Sequence, residues 1–334
     1  MGQRYRHFCV EERVEISRLS GEGRSIRQIA AALDRAPSSV ARELKRNTGA
    51  ADYKPVFADE QARARRWTGS RLDRDGDLRD RVLSQLKAGW SPEQIVGRAR
   101  SAGEDMVGVE TLYRFIYAQI TRHNDYTWRR YLPRAKSRRG WRPSPGGSPA
   151  LHISHRTPLA ERPAEIALRL DPGHWEADLM AFARYGQHIL MLHERMSRAL
   201  VAARIASKHA EPVAGAIAAA LSGLPPALRQ TVTFDNGTEF ARHYDLGALG
   251  IRTFFCDPHA PWQKGGIENA IGRMRRFLPR KTDLAELDEP TFATILAAYN
   301  NTPRKCLDYK TPAEAFSTHL LHFKRESTFP PARE

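Results

Sequence analysis

The chain's 334 residues are enough for two or three domains with their own cores, and 41% apolar content with a mean hydropathy of -0.56 fits a soluble globular protein. No run of 18 apolar residues occurs, the start MGQRYRHFCVEER lacks the apolar core of a signal peptide, and three scattered cysteines suit neither a disulfide frame nor a zinc site, so a cytoplasmic protein with no membrane partner is expected. The net charge of +15 is lopsided: residues 1–150 hold 30 Lys and Arg against 18 Asp and Glu, the rest 23 against 20, which makes the front half a nucleic-acid-binding candidate.

In chain order, CVEERVEISRLSGEG reads as a first helix with Val10, Val14 and Leu19 on one buried face. SIRQIAAAL follows, capped by Ser25 and burying Ile26, Ile29, Ala30 and Leu33. After the short turn DRA, PSSVARELKRN forms a third helix with Pro37 at its first position. Two short helices joined by a tight turn are the sequence form of helix-turn-helix. A solvated helical bundle would not need Arg35, Arg42, Lys45 and Arg46 clustered on and beside the third helix. Ser38, Ser39 and Arg42 are expected near base edges, and Lys45 and Arg46 at phosphates.

A degenerate second copy runs GDLRDRVLSQLKAGW, SPEQIVGRAR and VGVETLYRFIYAQ, with a longer turn, SAGEDM, and Thr111 and Arg114 as its candidate contacts. PRAKSRRGWRPSPGGSPALHISHRTP is then a Pro-, Gly-, Ser- and Arg-rich linker, with Arg138 and Arg139 lying along DNA. The expected organisation is a helix-turn-helix domain at 1–50, a second at 51–132, a linker at 133–160 and a catalytic core at 161–325.

From Asp171 the grammar changes. HWEADLMAF, QHILMLHER and ALVAARIA read as a meander of three strands, KHAEPVAGAIAAALSGL as a helix, and RQTVTF as a fourth strand. GTEFARHYDLGALG reads as a helix, IRTFF as a fifth strand, and IENAIGRMRRFL as a late helix. This mixed α/β order is that of the ribonuclease-H-like fold.

Three acids stand out: Asp178 in the first strand, Asp235 at the end of the fourth, and Glu268 in the late helix. Converging carboxylates without a matching cation in sequence call for a divalent metal, and hard oxygen ligands favour Mg²⁺ or Mn²⁺. Arg275, seven residues after Glu268, would share its helical face and suit a phosphodiester. Glu176 and Glu239 could be ligands on spacing alone; the first suits a supporting group beside Asp178, the second a helix N-terminal charge. His174, His193 and His259 could be ligands, though isolated histidines are more often surface or packing residues, and Trp175 reads as a core anchor.

These stretches together resemble bacterial insertion-sequence transposases with an integrase-type core, most closely the insertion-sequence thirty family. The matching segments are SIRQIAAALDRAPSSVARELKRN, GHWEADLM, TVTFDNGTEF, IENAIGRMRRFLPRKTDL and NNTPRKCLDYKTPAEAF, and 32 residues separate Asp235 from Glu268. Two departures are Ala177 where the family usually has Gly, and PWQKGGIEN where it usually has a Ser-Trp-Glu-Arg-Gly-type approach. The resemblance implies a three-acid transposase in which Asp178, Asp235 and Glu268 hold two Mg²⁺ ions, roughly 3.5–4 Å apart in such sites, with Mn²⁺ able to substitute. It further implies strand cleavage and 3′-hydroxyl transfer without a covalent protein–DNA link, and a steadying role for Arg275 near the scissile phosphate. Recognition of terminal inverted repeats and target DNA, a dimer or larger synaptic assembly and a circular intermediate follow as well. The competing classes are a DNA-binding regulator with an idle core, a ribonuclease H, and a retroviral-type integrase, whose zinc module would lack partners for His7 and Cys9.

Overall fold

The computed structural model describes residues 6–48, 52–65, 69–132, 153–183, 186–258 and 260–326. Most of the linker, with Arg138 and Arg139, and His259 lie outside the described residues. The chain divides into two compact units: 1–87, 91–96 and 105–137 form one, and 88–90, 97–104 and 138–334 the other.

In the first unit, α1 (Val10–Gly21), α2 (Ile26–Ala32) and α3 (Pro37–Asn47) are followed by α4 (Pro55–Arg65) and the single turn α5 (Arg71–Arg74). Reciprocal side-chain and backbone bonds start α1 (Cys9 with Glu12) and α2 (Ser25 with Gln28), answering amides that no earlier turn can satisfy. Between α2 and α3 the chain turns through Asp34 at φ 50°, and Pro37 opens α3 where its missing N–H costs nothing. Ile16, Leu19, Ile29, Ala30 and Val40 form the core with Tyr53 and Ala58.

That face differs from the expected one, because Val14 and Ile26 are exposed and Arg13 takes the inward position. Arg13 is 2% exposed, and its guanidinium bonds Glu43 of α3 and Asp59 of α4 at 2.8 Å each, and the Phe8 carbonyl at 2.6 Å. Tyr53 donates to Glu43 at 3.1 Å, and burial with the neighbouring carboxylate pushes its hydroxyl pKa up. A buried cation satisfied on this many sides replaces a hydrophobic contact that spacing alone would assign to Val14. Further along come α6 (Gly76–Lys87), α7 (Pro92–Ser101) and α8 (Val109–His123). Leu78, Val82 and Leu86 of α6 are buried, as are Leu112, Phe115 and Ile116 of α8, and α4 also packs on α8.

In the second unit, α9 (Glu165–Leu168) precedes β1 (His174–Ala181), β2 (His188–Glu194) and β3 (Leu200–Ile205). Then follow α10 (Ala210–Ser222), β4 (Thr231–Phe234), β5 (Arg252–Phe255), α11 (Gly265–Met274), α12 (Glu289–Asn300) and α13 (Pro312–Glu326). The sheet order is β3-β2-β1-β4-β5, with β1–β2 and β2–β3 antiparallel and β1–β4 and β4–β5 parallel. This is the ribonuclease-H-like arrangement.

Alternation along the strands divides the core. Trp175, Ala177, Leu190, Leu192, Val232 and Phe234 join Val213, Ile217 and Leu221 of α10. Met180, Ile189 and Met191 meet Ile267, Ala270 and Met274 of α11 and Phe292 and Tyr299 of α12 on the other face. Trp175 is fully buried and donates Nε1–H to the Leu228 carbonyl at 2.9 Å, so it is the expected core anchor.

Two expected helices come out differently. GTEFARHYDLGALG forms two 3₁₀ segments, Thr238–Phe240 and His243–Leu249, because Thr, His, Asp and Gly are poor at sustaining an α-helix. The helix carrying Glu268 stops at Met274. Among the described residues no helix is long and apolar enough to cross a membrane.

Candidate active site

The β1–β4 register pairs His174 with Thr231, Trp175 with Val232 and Glu176 with Thr233. Continuing that parallel register two residues brings Asp178 opposite Asp235, just past the end of β4. Each carboxylate is fixed by a local amide. Asp178 Oδ1 accepts from Leu179 N–H at 2.8 Å, and Asp235 Oδ1 accepts from Gly237 N–H at 3.0 Å, the Asx turn that ends the strand. Asn236 Nδ2 donates to the Cys256 carbonyl at 2.9 Å, tying that turn to the residue after β5.

The other oxygens of the pair face one ammonium. Lys264 Nζ lies 3.0 Å from Asp235 Oδ2, 3.4 Å from Asp178 Oδ2 and 3.1 Å from the Ala177 carbonyl. Its side chain is 5% exposed, against 24% for Asp178 and 43% for Asp235. Burial pushes the Lys264 pKa down, but the two carboxylates outweigh it and hold it above the ordinary lysine value. Burial, helped by the negative charge of Asp235, raises the Asp178 pKa despite that lysine. Lys264 is the residue missed by sequence reasoning, and it corrects the expectation that the acids lack a matching cation: the aspartate pair already has one, drawn from the PWQKGGIEN departure, and only the fold shows which charges it meets.

Glu268 lies in the first turn of α11, four residues after Lys264, with its side chain exposed. Glu239 is half-buried on the Thr238–Phe240 segment; burial raises its pKa, and both Asp235 and Asp178 add to the rise. Its carboxyl closes on Gly237, where an added Cβ would lie 2.6 Å from it, two residues past Asp235. Among the described residues no three His, Cys, Asp or Glu side chains are already arranged around one metal position. Arg275 is the residue that closes α11 rather than a member of a longer helix. Its guanidinium donates to the Ala181 carbonyl at 2.5 Å and packs 4.8 Å from the centre of the Phe182 ring, at the end of the strand that carries Asp178.

Comparison with known proteins assigns the chain. It is 36% identical over 317 residues to the transposase InsI for insertion sequence element IS30A of Escherichia coli (strain K12), covering 92% of this chain and 82% of the relative. It is 35% identical over 328 residues to the transposase for insertion sequence element IS1086 of Cupriavidus metallidurans, covering 96% of each. The chain belongs to the IS30 family of insertion-sequence transposases. A further family member, the transposase for insertion sequence element IS4351 of Bacteroides fragilis, is 34% identical over 315 residues, covering 93% of this chain and 95% of that one. The crystal structure of the catalytic core domain of BIV integrase matches 47% of this chain and 99% of its own at 20% identity, with a TM-score of 0.35.

A helix-turn-helix domain family matches residues 4–47 of this IS30-family chain, and thus α1 to α3. On α3, Ser38, Arg42, Lys45 and Arg46 are exposed and Ser39 is half-buried, which leaves the helix a cationic outer face. Arg42 bonds the Ser38 carbonyl one turn back at 3.1 Å. Arg35 is turned inward: it pairs with Glu12 at 2.7 Å and lies over the Phe8 ring, holding the start of α1. On α8, Thr111 is half-buried and Arg114 is exposed, paired with Glu110 at 3.2 Å.

Proposed function

We propose that this transposase cleaves and joins DNA at the ends of its own insertion sequence, with Asp178, Asp235 and Glu268 as ligands to two Mg²⁺ ions, replaceable by Mn²⁺. The observation that carries the reading is the shared cation: two carboxylates on neighbouring parallel strands converge on one ammonium at 3.0 and 3.4 Å, and their hard oxygens suit a divalent ion equally. When bound, the ions supply charge neutralisation at the attacking and leaving oxygens of an in-line displacement.

The chain's residues do the rest. The Leu179 and Gly237 amides each hold one oxygen of the two aspartates, and Glu268 completes the ligand set from α11. Arg275 steadies the DNA backbone beside β1. The helix-turn-helix segment recognises the terminal inverted repeats, with Ser38, Ser39 and Arg42 at base edges and Lys45 and Arg46 at phosphates. Thr111, Arg114, Arg138 and Arg139 add contacts to ends or target. Two ends must be processed together, so the working form is a dimer or larger, and a circular intermediate follows from joining them.

The test is metal-dependent cleavage and strand transfer on DNA carrying the inverted repeats that flank the coding region. Wild type should cut only with Mg²⁺ or Mn²⁺, and Asp235→Ala should bind the ends without cutting. If both proteins bind and both are equally inert, the chain is a DNA-binding regulator. Glu239, whose carboxyl closes on Gly237 two residues past Asp235, is the rival third ligand. Glu268→Gln should abolish cleavage and Glu239→Gln should not; the reverse result would exchange their roles.

A further inference from the structure

Glu176 is fully buried, and both of its carboxylate oxygens are engaged. Oε1 accepts from the guanidinium of Arg195, itself 4% exposed. Oε2 accepts from the backbone N–H of Ile267 at 2.8 Å. That amide belongs to the first turn of α11, where helical geometry supplies no acceptor and a negative charge opposes the helix dipole favourably. The approach is so close that a Cβ on Gly266 would lie 2.6 Å from Glu176 Oε2 and 3.0 Å from the His193 ring.

The two ends of this clamp are informative. On β1, Glu176 is two residues from Asp178 and so on the same face of the strand. On α11, Ile267 directly precedes Glu268, and Lys264 is the residue just before the same helix. One side chain therefore joins the strand bearing the first acid to the helix turn bearing the third, and the missing side chain at Gly266 permits the contact.

Resting on the three-acid reading above, we propose that Glu176, held by Arg195, is a positioning residue that sets Glu268 and Lys264 against Asp178. It acts through an acceptor oxygen on a backbone amide. A metal ligand would act through its charge, and a packing residue through its volume; the three roles are separable by substitution.

The experiment uses the full chain as wild type, Glu176→Gln, Glu176→Leu, Gly266→Ala and Asp178→Asn. It measures hydrogen exchange at the Ile267 amide, affinity for inverted-repeat DNA, and kcat and KM for cleavage. Glu176→Gln keeps one acceptor oxygen, which can serve the Ile267 amide at the expense of the Arg195 bond, and should retain slow Ile267 exchange and far more of kcat than Glu176→Leu. Glu176→Leu, with similar volume and no acceptor, should expose that amide to fast exchange and lower kcat by about 100-fold, the cost of roughly an ångström of misplacement, with KM for DNA unchanged. Gly266→Ala pushes the same contact apart without touching Glu176 and should give the same pattern, which covers a leucine variant that fails to fold. Wild-type kcat and exchange in Glu176→Leu would overturn the clamp. So would a Glu176→Gln protein as inert as Asp178→Asn but with slow exchange retained, since charge would then be what matters. An active Asp178→Asn protein would instead overturn the three-acid reading, leaving the clamp to be decided by exchange alone.

Discussion

Replacing Lys264 with Met removes the ammonium between Asp178 and Asp235 and keeps the bulk of its stem. With an effective dielectric constant near 20, charges 3.0 and 3.4 Å apart attract by about 5 kcal/mol each before the cost of drying the lysine is subtracted. Breaking a buried pair typically costs about 3–5 kcal/mol because the partners are left uncompensated, and the 43% exposure of Asp235 puts this case at the lower end, about 3 kcal/mol. The assay is denaturant unfolding of the catalytic unit in EDTA and in Mn²⁺. In EDTA the variant should lose about 3 kcal/mol. In Mn²⁺ it should recover most of that loss, because the ion meets two carboxylates with no resident cation to displace and so binds more tightly than in wild type. A loss below about 1 kcal/mol in EDTA, or a Mn²⁺ stabilisation no larger than that of wild type, would refute the view that Lys264 is the counter-ion of the pair.

Other expectations concern both units. Arg13→Met should destabilise the first unit by about 3 kcal/mol or more, read as a lowered unfolding midpoint, since Glu43 and Asp59 lose a shared buried partner; a neutral result would mean that the carboxylates find water. Arg46→Gln should weaken end binding about equally for all sequences and reduce the slope of log affinity against log salt by about 1, whereas a loss confined to one base sequence would put Arg46 at a base edge. His193, pushed down to about 3 by burial and by Arg198, Arg169, Arg304 and Arg195, stays neutral when folded. The unfolded chain binds its proton first, so stability from this group is full above pH 6.5 and is lost at about 1.4 kcal/mol per unit as pH falls towards 3. His193→Asn should flatten that part of the acid-unfolding curve, and an unchanged curve would assign it to other groups.

Much of this was legible in the sequence because the signals were local. Apolar runs bounded by turn residues gave all five strands, and Ser25 and Pro37 located two helix starts. Asp178 and Asp235 could be paired once β1 and β4 were recognised as neighbours, since a parallel register is then enough. What escaped was set by distant partners. Nothing near Arg13 announces that Glu43 and Asp59 will surround it, so Val14 took its place in the expected core. Lys264 looked like loop material until the fold brought it beneath two carboxylates 29 and 86 residues away. The spacing of Arg275 from Glu268 was legible, but not that α11 ends at Met274 or that the guanidinium donates to the carbonyl at the end of β1.

The Arg13 network also bears on how portable the DNA-reading module is. The helix-turn-helix family match ends at residue 47, yet one of the two carboxylates that neutralise Arg13 is Asp59, and the hydroxyl that completes Glu43 comes from Tyr53. Transplanting the matched segment alone would carry a buried guanidinium without half of its counter-charge. The transferable reader is therefore the four-helix piece that runs through α4, and a graft or fusion has its first sound junction beyond Arg65.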